Sequence, residues 1–183
     1  MSYTTQNDLL IHKLQNFYKP SVIEKIIPIL NGESQISIRI IDWFVTNYSK
    51  QYWVNYRITK GTNTRIFKVY KDYKLNLKAY NKRRFDPFCR WERIEFPYKN
   101  DIVIQTTIGQ LNFFKWALEN KVIDYIEQHY NEIETDMNTR NTTAKKKSLK
   151  NNKKTRKKRE ELSVSAVKSI KKEIVQIEVN FGC

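Results

Sequence analysis

Apolar residues recur at helical spacing through the first fifty positions. In residues 5–18 (TQNDLLIHKLQNFY), Leu9, Leu10, Leu14 and Phe17 mark one face of a helix that must end before Pro20. Val22, Ile23, Ile26, Ile27 and Leu30 predict a second, short helix over 21–30, stopped by Asn31-Gly32. The next run, ISIRIIDWFVTNYSK, opens with strand-like alternation at Ile36, Ile38 and Ile40. Its length and the set Ile40, Ile41, Phe44 and Tyr48 predict a buried helix instead.

The middle of the chain changes period. YWVNYRI (52–58), the turn KGTNT (60–64) and RIFKVYKDY (65–73) predict a β-hairpin in which aromatic and β-branched residues alternate with cations. ERIEF (92–96), closed by Pro97, and DIVIQ (101–105) predict two more short strands. Helical spacing then returns in TTIGQLNFFKWALENKVIDYIEQHYNEIE. Thr107 and Gln110 have capping-box spacing, Ile108, Leu111, Phe114 and Leu118 form one stripe, and Asn120 divides it from Val122, Ile123 and Ile126. Apolar residues thin out after about Asp136 until Leu162, the composition of an unstructured arm. EIVQIEVNF (173–181) alternates again and predicts a terminal strand returning to the sheet.

The expected fold is therefore α+β. It has N-terminal helices, a small antiparallel sheet built around the basic-aromatic hairpin, a long helical segment, a disordered basic arm and a terminal strand. The expected units are a globular domain over 1–136, an arm over 137–161 and a C-terminal segment over 162–183. The chain's 183 residues, 40% hydrophobic and 13% aromatic, suffice for one core plus an appendage. No apolar run reaches the roughly 18 residues a membrane span needs, and MSYTTQNDLLIHKLQ does not read as a secretory signal. A soluble, cytosolically made protein with no membrane association is the expectation. Cys89, Cys183, His12 and His129 show no zinc-site spacing, so no metal or other cofactor is expected, and Cys89 reads as a buried thiol.

Charge changes the picture most. The net charge is +15, and it is concentrated in two blocks. Residues 50–99 carry 14 basic and 4 acidic side chains (+10), and residues 141–183 carry 13 and 4 (+9), while the rest of 1–140 is mildly acidic. Lys outnumbers Arg 24 to 10, a bias that AT-rich coding would also produce. Such drift does not gather cations into blocks, which points to a polyanionic partner.

Three stretches can carry that binding. In the hairpin region Arg57, Arg65, Lys68 and Tyr70 stand among interleaved lysines and rings; cations neutralise phosphate while rings stack on bases. The competing expectation is that the rings are core and the cations its wet side. In NKRRFDPFCRWER (81–93), Pro87 holds Asp86 extended, Phe85 and Phe88 plug the loop into the core, Asp86 either pairs with a neighbouring arginine or caps the turn rather than acting as a catalytic acid, and Lys82, Arg83, Arg84, Arg90 and Arg93 face outward. In the arm, ten of the fifteen residues from Lys145 to Arg159 are basic. Lys145, Lys146 and Lys147 form one cluster, and Lys153, Lys154, Arg156, Lys157, Lys158 and Arg159 the other. That spacing suits a polyanion-binding arm and equally a bipartite nuclear import signal.

No phosphate-loop, dinucleotide-binding, serine-hydrolase or zinc-protease motif is present. The acids nearest the basic middle, Asp42, Asp86, Glu92 and Glu95, are what a metal-dependent nuclease would have to use. A non-enzymatic role is the expectation.

The segments IRIIDWFVTNYSK (38–50), YKLNLKAYNKRRFDPFCR (73–90), TTIGQLNFFKWALENKVIDYI (106–126) and KKREELSVSAVKSI (157–170) together resemble a group of small uncharacterised proteins of nucleocytoplasmic large DNA viruses, the giant viruses. The resemblance implies a viral protein acting in the cytoplasmic viral factory, the host nucleus or the virion. It supplies no catalytic residues. The resulting expectation is a non-enzymatic nucleic-acid-binding protein that grips the phosphate backbone with little sequence preference, DNA ahead of RNA. The rival is a structural or assembly protein of the virion whose basic surface meets acidic protein partners, other viral proteins among them.

Overall fold

Thr5 starts the first helix by accepting from the Asp8 amide while the Asp8 carboxylate accepts from the Thr5 amide, which satisfies donors otherwise orphaned at a helix start. The computed structural model describes residues 5–88, 92–99, 102–150 and 172–174. Helix α1 (Gln6–Phe17) buries Leu10 and Leu14. Helix α2 (Pro20–Asn31) begins with proline in its first turn and ends at Gly32 in the left-handed region, φ 74°. Ser37 caps α3 (Ile38–Trp43), which continues through a π-helical turn (Phe44–Tyr48) into α4 (Ser49–Gln51). The apolar run thus forms the buried helix predicted for it.

Strands β1 (Asn55–Lys60) and β2 (Asn63–Lys68) pair antiparallel across Gly61-Thr62. Gly61 has φ 61°, which an L side chain would strain. The hairpin is where it was predicted, but its second arm stops at Lys68. From Val69 the chain is helical: α5 (Val69–Phe85) places Val69 and Tyr73 in the core with Leu77 and Tyr80 half-buried behind them. The alternation read through RIFKVYKDY gives way here to a 3.6-residue period. Tyr70, and Lys82 to Arg84, therefore stand on a helix and not on a strand or loop. The helix is broken only at Asn81 (φ 59°, ψ 173°), whose Oδ1 accepts from the Arg83 amide.

The hairpin forms a sheet of its own. Strands β3 (Arg93–Lys99), β4 (Ile102–Thr107) and β5 (Lys172–Ile174) make a second, antiparallel sheet in the order β3-β4-β5. The described residues thus hold two small sheets, not one sheet around the hairpin. The terminal strand forms at 172–174 and pairs with β4, so it joins the second sheet and not the hairpin's; residues 175–181 lie outside the described residues.

Helix α6 (Ile108–Glu119) is the centre of the molecule. Thr107 accepts from the Gln110 amide as half of a capping box, and the Gln110 side chain accepts instead from Thr106 Oγ1 (2.8 Å). Leu111, Phe113, Phe114, Trp116 and Ala117 are all buried, as are Gln110 and Asn112 on the remaining faces. Trp116 meets Phe67, Tyr73, Phe85 and Phe113 with centroids between 5.7 and 6.1 Å apart. Its indole donates to Asp72 Oδ1 at 2.7 Å. The rings of this cluster are core, as the competing expectation for the aromatic middle had it.

Asn120 ends α6, Lys121 turns the chain at φ 54°, and α7 (Val122–Gln128) follows, the break predicted at Asn120. Helix α8 (Tyr130–Lys150) buries Ile133 and Met137 and runs on to Lys150. It therefore covers residues 137–150, which composition had assigned to an unstructured arm. Once the packed turns of α8 have nucleated it, each further residue adds a hydrogen bond at little cost, and Ala, Lys and Leu are good helix formers.

Candidate nucleic-acid interface

Strand pleat sorts the hairpin cations. Tyr56 opposes Phe67 and Ile58 opposes Arg65 on the inner face; Asn55 opposes Lys68, Arg57 opposes Ile66 and Thr59 opposes Thr64 on the outer face. Arg57 and Lys68 therefore project to solvent beside Ile66, which is 62% exposed. Arg65 belongs to the inward row: its guanidinium lies over Phe67 and donates to Asn120 Oδ1 at 3.0 Å. It braces the hairpin against the α6–α7 junction.

Helix α5 carries the larger basic surface. Lys71, Lys74 and Lys78 follow one another at three- and four-residue steps on the face opposite Val69, Tyr73 and Leu77, and all three are exposed. Exposed Leu75 lies beside them, and exposed Lys82 follows the Asn81 break. Among the described residues, Lys71, Lys78 and Lys82 make no ion pair. Tyr70, half-buried at the head of this face, has Lys50 Nζ and Lys74 Nζ each 5.8 Å from its ring centroid.

The end of α5 is fastened to α1 and α6. Arg84 Nε donates to Asn7 Oδ1 and Nη1 to Gln6 Oε1, both at 2.8 Å. Asn112 Nδ2 donates to the Arg84 carbonyl at 2.9 Å. A Cβ on Gly109 would stand 2.9 Å from the Arg83 carbonyl oxygen, so glycine is what lets α6 meet this turn. Phe85 is fully buried and Phe88 half-buried, and the Phe88 amide donates to Asp86 Oδ1 (2.9 Å). The two phenylalanines plug the turn as predicted, and of the two roles expected for Asp86 the bond from the Phe88 amide is the capping one. Arg83 and Arg84 line a cavity of about 160 Å³ with Asn7, Glu92 and Thr107. Arg93 is exposed at the start of β3.

Lys145, Lys146 and Lys147 lie on α8, while Arg90 and Lys153, Lys154, Arg156, Lys157, Lys158 and Arg159 lie outside the described residues, as do Cys89 and Cys183. Of the predicted set, Arg57, Lys68, Tyr70 and Lys82 gather on the hairpin's outer face and α5. Arg65 and Arg84 act as braces, and Arg93 stands on the other sheet. Reading 65–73 as strand hid the lysine row; the signal for it was the 3.6-residue repeat of Lys71, Lys74 and Lys78 against Tyr73, Leu77 and Tyr80.

The acids near this region do not assemble for metal chemistry: among the described residues no three of His, Cys, Asp and Glu gather around a common point. Burial, with the nearby Asp86 charge adding to it, raises the Asp42 carboxyl to about 6. Tyr56 and Tyr73 are likewise raised, first by burial, and the Tyr56 hydroxyl donates to the Asn120 carbonyl at 2.8 Å.

Residues 2–180 match a family described as a family of unknown function (DUF7197). The chain belongs to this family. A curated relative, an uncharacterised protein of Acanthamoeba polyphaga mimivirus, is 41% identical over 157 residues, which cover 82% of this chain and 60% of the relative. The chain thus spans about three fifths of that relative's length. This DUF7197 chain is similar to a protein of a giant virus, as its sequence resemblance implied. No solved structure matches it.

Proposed function

We propose that this DUF7197 protein binds nucleic acid without catalysing a reaction on it, through the phosphate backbone and with little sequence preference. What supports the reading is the exposed lysine row of α5, continuous at its head with Lys50 and Lys68. Three lysines on one helical face stand within about 10 Å along the axis, at 1.5 Å per residue. Phosphates along one strand of DNA repeat on a comparable scale, so several can be met at once. The cations between Lys145 and Arg159 add a second, sequence-independent charge block. A giant-virus relative fits work in a viral factory, a nucleus or a virion equally.

The test is anisotropy of labelled DNA over a salt series, comparing the native chain with Lys71→Gln/Lys74→Gln/Lys78→Gln. Each lost phosphate contact should lower the log–log salt slope by about 0.9 on duplex and about 0.7 on single strands, with weaker binding at every sequence. An unchanged slope would remove α5 from the interface. Polyglutamate binding as tightly as DNA would favour the assembly reading, in which the basic face meets acidic proteins.

A further inference from the structure

Trp53 is 84% exposed, the most open of the large apolar side chains described. It sits at φ 51°, a left-handed conformation that glycine or asparagine adopts with ease and a large side chain does not. Its carbonyl is held by Asn55 Nδ2 at 2.9 Å. The indole is thus raised to solvent on a backbone that is fixed in place. Strained residues of this kind concentrate at binding sites.

Its surroundings indicate what it faces. The Val69 amide donates to the Val54 carbonyl (3.3 Å), and the Val54 amide to the Ser49 carbonyl (3.2 Å). These two bonds stitch the head of α5 to the segment carrying Trp53. Trp53 lies one residue from that seam on one side, Lys68 and Tyr70 one residue from it on the other, and Lys50 one residue beyond Ser49. The nearest acid engaged on this segment, Asp136, accepts from the Tyr52 hydroxyl at 3.3 Å and from Trp43 and Arg140, so its charge is already answered.

We infer that Trp53 is a stacking platform for an unpaired base, held beside the phosphate-binding lysines of Lys50, Lys68 and α5, and that the polymer this site takes is single-stranded. This rests on the nucleic-acid reading above and narrows it. A duplex keeps its base faces stacked and offers none to an indole, whereas every unpaired base has one.

The full-length chain is titrated with labelled oligo-dT, an abasic strand of equal length and a duplex. Trp53→Asn and Trp53→Gly should weaken oligo-dT binding about ten- to a hundredfold and leave the abasic strand and duplex within about twofold. Trp53→Phe, which keeps a ring, should retain most of the affinity. Thermal melts guard against misfolding: Trp53→Asn, at ease at this φ, should melt no lower than the native chain. Equal loss on the abasic strand, or no loss on oligo-dT, overturns the stacking role. If the lysine variant loses oligo-dT while the Trp53 variants keep it, stacking falls and the phosphate reading stands. If the native chain binds no strand, both fall.

Discussion

Asp42 shows what a single buried group does to this protein. It sits on α3 with less than full access to water, and the Asp86 charge opposes its ionisation further; its carboxyl titrates near 6 rather than at the ordinary 3.8. The folded state therefore holds the proton more tightly than the unfolded one. Stability is then greatest below the unfolded value and falls as pH rises through the window from about 4 to about 6. Asp42→Asn should raise unfolding free energy by up to about 3 kcal/mol above that window and leave it unchanged below it. Urea melts at the two ends of the range check this; a gain of equal size at both ends would mean that packing, not ionisation, is the cause. At this scale the sequence was informative where chemistry is local. Proline fixed Asp86 in a turn, and two phenylalanines flanked by five cations had to point inward. The roles of Arg65 and Arg84 were not legible, because Asn120, Asn7 and Gln6 are distant in sequence and meet them only through tertiary packing.

At the scale of elements, the helical spacing of α1, α2, α6 and α7 was legible, with the stops at Pro20 and Asn31-Gly32, the Thr107 cap and the break at Asn120, but not the Thr5 cap of α1 or the end of α7 at His129. Helix α5 was not. Its first residues continue an alternating strand, and aromatic side chains with high β-propensity suit that strand until packing against Trp116 and Phe113 decides otherwise. Reading 65–73 as strand cut Lys71 off from Lys74 and Lys78, when the helix brings all three onto one face. Such a row works against the helix that carries it. Lys71 with Lys74, and Lys74 with Lys78, are like charges at neighbouring positions, each pair costing about 0.2–0.5 kcal/mol. Neutralising the row should therefore raise the thermal midpoint slightly at low salt, with the gain fading as salt screens the repulsion. A binding loss accompanied by a stability gain would set these lysines apart from cations such as Arg84, whose removal takes hydrogen bonds with it.

Charge is unevenly shared among the elements. Lys68, Lys71, Lys74 and Lys78 are exposed at the end of β2 and along α5, while Asp124, Glu127, Glu132, Glu134 and Asp136 belong to α7 and the first half of α8. On the proposed nucleic-acid reading, such a distribution orients the polyanion before contact and speeds its capture at low ionic strength. Replacing Lys153, Lys154, Arg156, Lys157, Lys158 and Arg159 by Gln should lower affinity for duplex and single strands alike, without altering which is preferred. Competition between the two strands on the variant checks this; a changed preference would give that stretch a part in recognition as well as charge. The block pattern of charge was readable from composition alone, but which cations share a face depended on the fold.

Strand β5 sits at the outer edge of the second sheet. Helix α8 ends at Lys150, and β5 pairs Lys172, Glu173 and Ile174 with Ile104, Val103 and Ile102. Among the described residues β5 is held by these three pairs alone, whereas β4 pairs with β3 at six positions. The outer strand is thus a latch on a sheet that stands without it, and hydrogen exchange should open the β4–β5 ladder before the β3–β4 ladder.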